Sequence, residues 1–183
     1  SGEAVFSSID LIRREFDEFS QQSIQFPANY LKRHNVKREN LSRLVKEFSK
    51  LKVCVIGDLI VDKFIYCQPL GMSQEDHSVV VTPLDVAKYV GGAGIVSAHA
   101  AGLGAKVQFL SVVGNDEAAT FVENQLRSFG VNASLFNDEN RPTTIKERYL
   151  SSGKSILRVS KLYQGTISLQ LQNKILKKFK LIA

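Results

Sequence analysis

Tyr89-Val90-Gly91-Gly92-Ala93-Gly94-Ile95-Val96-Ser97-Ala98-His99-Ala100-Ala101-Gly102-Leu103-Gly104 is the stretch whose reading decides the fold. Small residues are denser here than anywhere else in the chain, and a glycine closes the run ahead of the apolar segment Val107–Val113. Gly91 and Gly92 permit positive φ and a close backbone approach. Behind them, Ala93–Leu103 reads as a short helix whose small side chains let it lie close against a sheet. The first N–H groups of such a helix point out of its end, where an anion or a sugar hydroxyl can be held. Spacing alone leaves two readings open: a loop that touches a polar ligand, or a glycine-rich strand–helix turn that serves only tight packing.

Upstream, Leu51-Lys52-Val53-Cys54-Val55-Ile56-Gly57-Asp58 is a continuous apolar run ending in Gly-Asp. Such a run suits the centre of a parallel sheet covered on both faces. Leu59–Tyr66 keeps strand chemistry with Asp62 in its middle. Ligands of open parallel sheets sit outside the carboxyl ends of the strands, where Asp58 and Asp62 fall. The alternative is that each Asp merely caps the following turn; Asp62, set among apolar and aromatic neighbours, is the stronger candidate. Pro69–His77 reads as loop, and Ser78–Val86 as a strand that Pro83 demotes to an edge.

Downstream, Lys106–Val113 is a strand, and Asp116 is an N-cap candidate for a helix with Phe121, Val122, Leu126 and Phe129 on its apolar face. Gly130 ends that helix and Val131–Phe136 is the next strand. The order strand, excursion, helix, strand, helix, strand predicts a doubly wound α/β sheet. Then Thr143–Leu150 and Ser155–Ser160 alternate about Ser151-Ser152-Gly153-Lys154, which predicts a β-hairpin. With strands near 63–67 and 78–86, this hairpin over 143–160 is expected to make a small antiparallel sheet apart from the main one. Thr166–Lys180 reads as a helix, and an apolar stop at Leu181-Ile182-Ala183 suggests truncation. Residues 1–50 look like a separate helical extension or linker. Ser7-Ser8-Ile9-Asp10 caps a helix carrying Ile9, Ile12, Phe16 and Phe19, a break follows over 21–27, and Asn40–Lys50 forms a helix with Leu41, Leu44, Val45 and Phe48 on one face.

Composition narrows the function. The content is 44% hydrophobic and 23% charged, that of a soluble globular domain. No run approaches the roughly 18 apolar residues of a membrane helix. Cys54 and Cys67 make neither a metal cluster nor a disulfide framework, so a reducing, cytoplasmic setting is inferred. The net charge of +6 is local: eight of the 24 Lys and Arg residues and none of the 18 acids lie from Arg148 onward, leaving residues 1–147 at −2. A nucleic-acid binder would show a basic face interleaved with aromatics instead. The basic segment reads as a solvated helix face, with anion binding as the alternative.

From Leu51 to about Leu162 the chain resembles the N-terminal half of a ribokinase-family carbohydrate kinase, within it the heptose-phosphate kinase (ADP-heptose synthase) type. The resemblance rests on Val-Ile-Gly-Asp-Leu-Ile-Val-Asp at 55–62, Ser73-Gln74-Glu75, Gly91-Gly92-Ala93, Gly114-Asn115-Asp116, and Pro142–Arg148 paired with Leu157-Arg158, in matching order and spacing. It implies a ribokinase-like doubly wound sheet, here its N-terminal half, with a small β lid that closes over the sugar and commonly forms a dimer contact. It also implies that Asp62 accepts from sugar hydroxyls, with Asp58 on the same Asp-bearing strand as a further substrate-binding candidate, that Gly91 and Gly92 donate backbone N–H groups, and that Lys146, Arg148 and Arg158 lie on or under the lid. Cationic donors there suit a sugar phosphate, although a salt-bridged β-ribbon would use the same residues. Ile95 stands where the family usually has a sugar-binding Asn, which puts sugar identity in question.

The family's anion hole and catalytic Asp lie in a C-terminal half. ATP and Mg2+ would therefore be held mainly outside this chain, which carries no catalytic or metal residue and is expected to be inactive alone. Residues 1–12 more weakly resemble the tail of a cytidylyltransferase-like nucleotidyltransferase, implying a bifunctional parent. A non-catalytic sugar-binding or dimerisation module is the runner-up. An NAD-dependent oxidoreductase fits less well, because no G-x-G-x-x-G follows the first strand.

Overall fold

A computed structural model describes residues 27–182. The expected helix with Ile9, Ile12, Phe16 and Phe19, and the resemblance over residues 1–12, lie outside the described residues. The described residues fall into two compact units, one ending at Arg43 and the other beginning at Leu44. Helix α1 (Ala28–Arg33) is followed by Asn35 at φ 51, a left-handed position that Asn tolerates at a helix end. Helix α2 (Arg38–Glu47) passes into a 3-10 turn over Phe48–Lys50, and its Leu41, Leu44 and Val45 are exposed.

In the larger unit the order is β1 (Lys52–Ile56), β2 (Leu59–Met72), β3 (Val79–Gly91), α3 (Gly92–Gly102), β4 (Lys106–Val113), α4 (Glu117–Ser128), β5 (Asn132–Asn137), β6 (Thr144–Ser151), β7 (Lys154–Lys161) and α5 (Leu169–Ile182). Strands β1, β4 and β5 form a parallel sheet in the order β1-β4-β5, and β3, β2, β6 and β7 a second sheet in the order β3-β2-β6-β7. The α/β architecture and the strand–helix alternation are those expected. Asp116 caps α4 by accepting from the Ala119 N–H at 2.9 Å, and α4 buries Val122 and Leu126 completely. The core gathers Leu59, Val61, Val90, Val107, Phe109, Val113, Val122, Leu126 and Val131. Ser152 (φ 49) and Gly153 (φ 73) turn the β6–β7 hairpin with two successive positive φ angles, as a type I′ turn requires.

Three expectations change. The second sheet is not purely antiparallel: β3/β2 and β6/β7 are antiparallel, but β2 and β6 run parallel at its centre. The chain leaves β2, builds the whole β3-α3-β4-α4-β5 excursion, and returns in the same direction, which a hairpin cannot do. Next, residues 69–72 are strand and not loop. Beyond Tyr66, β2 pairs only with β3, and Pro69 lies opposite Val81 beside a break in register, an edge position of the kind where a missing N–H is tolerated. Finally, β1 is not covered on both faces. It pairs with β4 alone, and Val53 and Val55 pack on the core while Cys54 and Ile56 are exposed, Ile56 at 53%. An apolar run reports hydrophobicity, not the number of neighbours.

Candidate functional site

The site is built where the strand β3–helix α3 turn meets β2 and β6. The corner between β1 and β2 is held by Ser111, whose Oγ donates to the Gly57 carbonyl at 2.7 Å and accepts from the Leu59 N–H at 3.2 Å. The Asp58 carbonyl accepts from the Ala93 N–H at 2.9 Å. One of the first N–H groups of α3 is therefore occupied by protein. Gly92 takes φ +56, and a Cβ there would sit 2.5 Å from that same carbonyl. At Gly91 a Cβ would collide with the Asp62 carboxylate. Both glycines are thus required for close approach. Gly91 leaves room for an acid, which joins the packing reading and the site reading at one residue.

Strand parity sorts the side chains. Asp62 pairs with Tyr89 on β3 and Lys146 on β6, and Phe64 pairs with Ala87 and Arg148, so these residues share one face. On that face Arg148 Nη1 donates to Asp62 Oδ1 at 2.5 Å, and its guanidinium carbon lies 5.1 Å from the Phe64 ring centroid. Phe64 in turn meets Tyr89 edge-on at 5.6 Å. Arg158 faces Arg148 across the β6–β7 ladder and is exposed. Asp62, Gly91, Gly92, Lys146 and Arg148 are therefore brought together. The Asp58 side chain is exposed, and its backbone carbonyl is what the turn uses.

The opposite face carries groups that were not anticipated. Glu147 is only 6% exposed and accepts from Lys63 Nζ at 2.9 Å, with Lys161 at 3.8 Å. The Lys63 hydrogen bond holds its carboxyl below the usual range, against the cost of burial and with help from both lysine charges. A second tie joins the two sheets. Asp116 Oδ2 accepts from the Thr143 N–H at 2.8 Å, and the Gly114 N–H donates to Thr143 Oγ1 at 3.0 Å. Burial opposes ionisation of Asp116, but the backbone N–H groups of Thr143 and Ala119 outweigh it and lower its pKa. The i, i+2 spacing of Asp62 and Phe64 was a legible signal for the aromatic platform; Thr143 and Glu147 lie in the quoted Pro142–Arg148 stretch, but nothing local marked Asp116 and Lys63 as their partners.

A polar cleft of ≈ 330 Å³ beside Asp116, Glu123, Ser134 and Asn137 contains none of the anticipated binding residues. Among the described residues no group of three or more His, Cys, Asp or Glu side chains is arranged to hold a metal ion. The described residues therefore do not fit a metal centre.

A family model described as pfkB family carbohydrate kinase matches residues 50–182. The chain belongs to this family. As a pfkB-family chain, it is 37% identical over 125 residues to the bifunctional protein HldE of Helicobacter hepaticus, covering 68% of this chain and 26% of that protein. It is 32% identical over 114 residues to the D-beta-D-heptose 7-phosphate kinase of Bordetella bronchiseptica, covering 62% of this chain and 36% of that one. The chain thus spans about a quarter to a third of the length of these relatives. Among solved structures, a carbohydrate kinase from Agrobacterium tumefaciens superimposes with a TM-score of 0.51 at 19% identity, over 60% of this chain and 35% of that one, which is a likeness of fold. The anticipated heptose-phosphate kinase type is borne out as similarity.

Proposed function

We propose that this pfkB-family chain carries the sugar-binding core and lid of an ATP-dependent kinase for a sugar or sugar phosphate. The observation that carries the reading is the meeting of Asp62, the Gly91-Gly92 turn and the β6 cations at one junction. Asp62 accepts from sugar hydroxyls, Gly91 and Gly92 donate backbone N–H groups to the sugar, and Lys146, Arg148 and Arg158 receive a phosphate already on the sugar. Similarity to proteins named for heptose 7-phosphate phosphorylation supports a phosphorylated heptose. Relatives of which the matched stretch covers only 26% and 36% support a parent in which ATP, Mg2+ and the catalytic base are held by sequence outside these residues, with a nucleotidyltransferase as its second activity. These 183 residues alone are then inactive.

Calorimetry of the full chain with a heptose 7-phosphate and with NAD tests the site: heat with the sugar and none with NAD is expected. In the parent protein, Asp62→Ala should abolish sugar-dependent ATP consumption, and undiminished turnover would remove the assignment. A second reading, a dimerisation module, draws on the exposed Leu70, Met72, Val79 and Leu84 of the β2–β3 ribbon. In that reading the chain sediments as a dimer that Leu84→Asp dissociates, and it binds no sugar phosphate.

A further inference from the structure

Asp62, assigned above to the sugar hydroxyls, is not free. Arg148 holds it at 2.5 Å with both side chains largely enclosed, 28% and 23% exposed respectively. The guanidinium lies over Phe64, which Tyr89 braces from the side. An incoming hydroxyl therefore meets a carboxylate already neutralised by a cation seated on an aromatic ring. Two more cations stand nearby: Lys146, in register with Asp62, and Arg158, directly across from Arg148. Among the described residues neither forms an ion pair. Like charges facing each other on neighbouring strands repel, so this side of the pair is short of an anion.

We infer that the Arg148–Asp62 pair is a latch that closes the empty sugar site and is opened by the anionic group of the substrate. The inference rests on the assignment of Asp62 to the sugar. A neutral sugar satisfies Asp62 with its hydroxyls but leaves a partly enclosed guanidinium without its counter-ion, the costly way to break such a pair. A phosphorylated sugar replaces both partners at once: hydroxyls go to Asp62, and phosphate oxygens accept from Arg148 in the planar two-pronged geometry that a guanidinium offers. The strand itself is held in place. β6 is tied at its start through Thr143 to Asp116 and Gly114, and next to Arg148 through Glu147 to Lys63 on the other face. The latch therefore opens by rotation of the Arg148 side chain and not by sliding of β6.

The test titrates the full chain with a D-heptose 7-phosphate and with the same heptose lacking its phosphate. Wild type is expected to prefer the phosphorylated sugar. Arg148→Gln should weaken the phosphorylated sugar about tenfold or more and tighten the free heptose by roughly three- to tenfold, since it removes both the phosphate donor and the competitor for Asp62. Phe64→Leu keeps both charges but removes the ring under the guanidinium, and should tighten the free heptose by a smaller factor, about twofold. Circular dichroism melts show whether each variant is folded, and Phe64→Leu carries the test if Arg148→Gln is not. If binding of both sugars falls by the same factor, or the free heptose binds no tighter in either variant, the latch is refuted while the sugar site stands. If wild type binds neither sugar, the assignment of Asp62 falls and the latch with it.

Discussion

Replacing Asp116 by alanine tests whether the lid is fastened to the main sheet as described. Two hydrogen bonds end on this carboxylate, from the Ala119 N–H at 2.9 Å and the Thr143 N–H at 2.8 Å. Losing an N-cap acceptor costs about 1 kcal/mol. Thr143 is only 2% exposed, so its N–H loses its acceptor in a place water reaches poorly, which adds about 1–3 kcal/mol. The expected loss is therefore about 2–4 kcal/mol, or roughly 5–15 °C in melting temperature for a unit of this size. Asp116→Asn keeps one side-chain oxygen, hence one of the two bonds, and should lose about half as much. The chain has no tryptophan, so urea unfolding of the full chain is followed by far-ultraviolet circular dichroism. A loss below about 0.5 kcal/mol for Asp116→Ala, the range of an ordinary surface change, would refute the tie between the sheets.

Gly91→Ala drives a methyl into the Asp62 carboxylate and should cost about 1–3 kcal/mol, while also displacing the Arg148–Asp62 pair; calorimetry with a sugar phosphate reads the second effect and urea midpoints the first. Glu147 and Asp116 have folded pKa values below their unfolded ones, so their contribution is present above the unfolded carboxyl range near about pH 4 and is lost as pH falls through the folded values. Urea midpoints should decline from pH 5 to pH 3, and Glu147→Gln should flatten that decline; an equal slope in the variant contradicts the assignment. Cys54 is exposed and Cys67 buried, so a thiol reagent should modify one cysteine quickly in the folded chain and the second only on unfolding. Ile56→Ser, on the open face of β1, should change stability by under about 1 kcal/mol, whereas Leu110→Ala in the core should cost about 2–5 kcal/mol.

Much of this molecule could be read without coordinates. The glycine pair at 91–92, the small-residue helix behind it, the capped helix after Asp116 and the Ser152-Gly153 hairpin are each written in a few consecutive residues. Local chemistry determines them: which φ a residue tolerates, where a helix end finds an acceptor, which face of a strand is apolar. The order and spacing of the same residues were also enough to reach the carbohydrate-kinase family. What they did not determine is who meets whom. That β2 lies parallel to β6, that β1 keeps one open edge, and that Arg148 reaches across 86 residues to occupy Asp62 follow from the closure of the chain. Periodicity names the face a side chain points to but carries no record of the strand that will lie beside it. An acid between apolar neighbours looks the same in sequence whether it faces a sugar or an arginine, and only packing over long separations decided which one it holds.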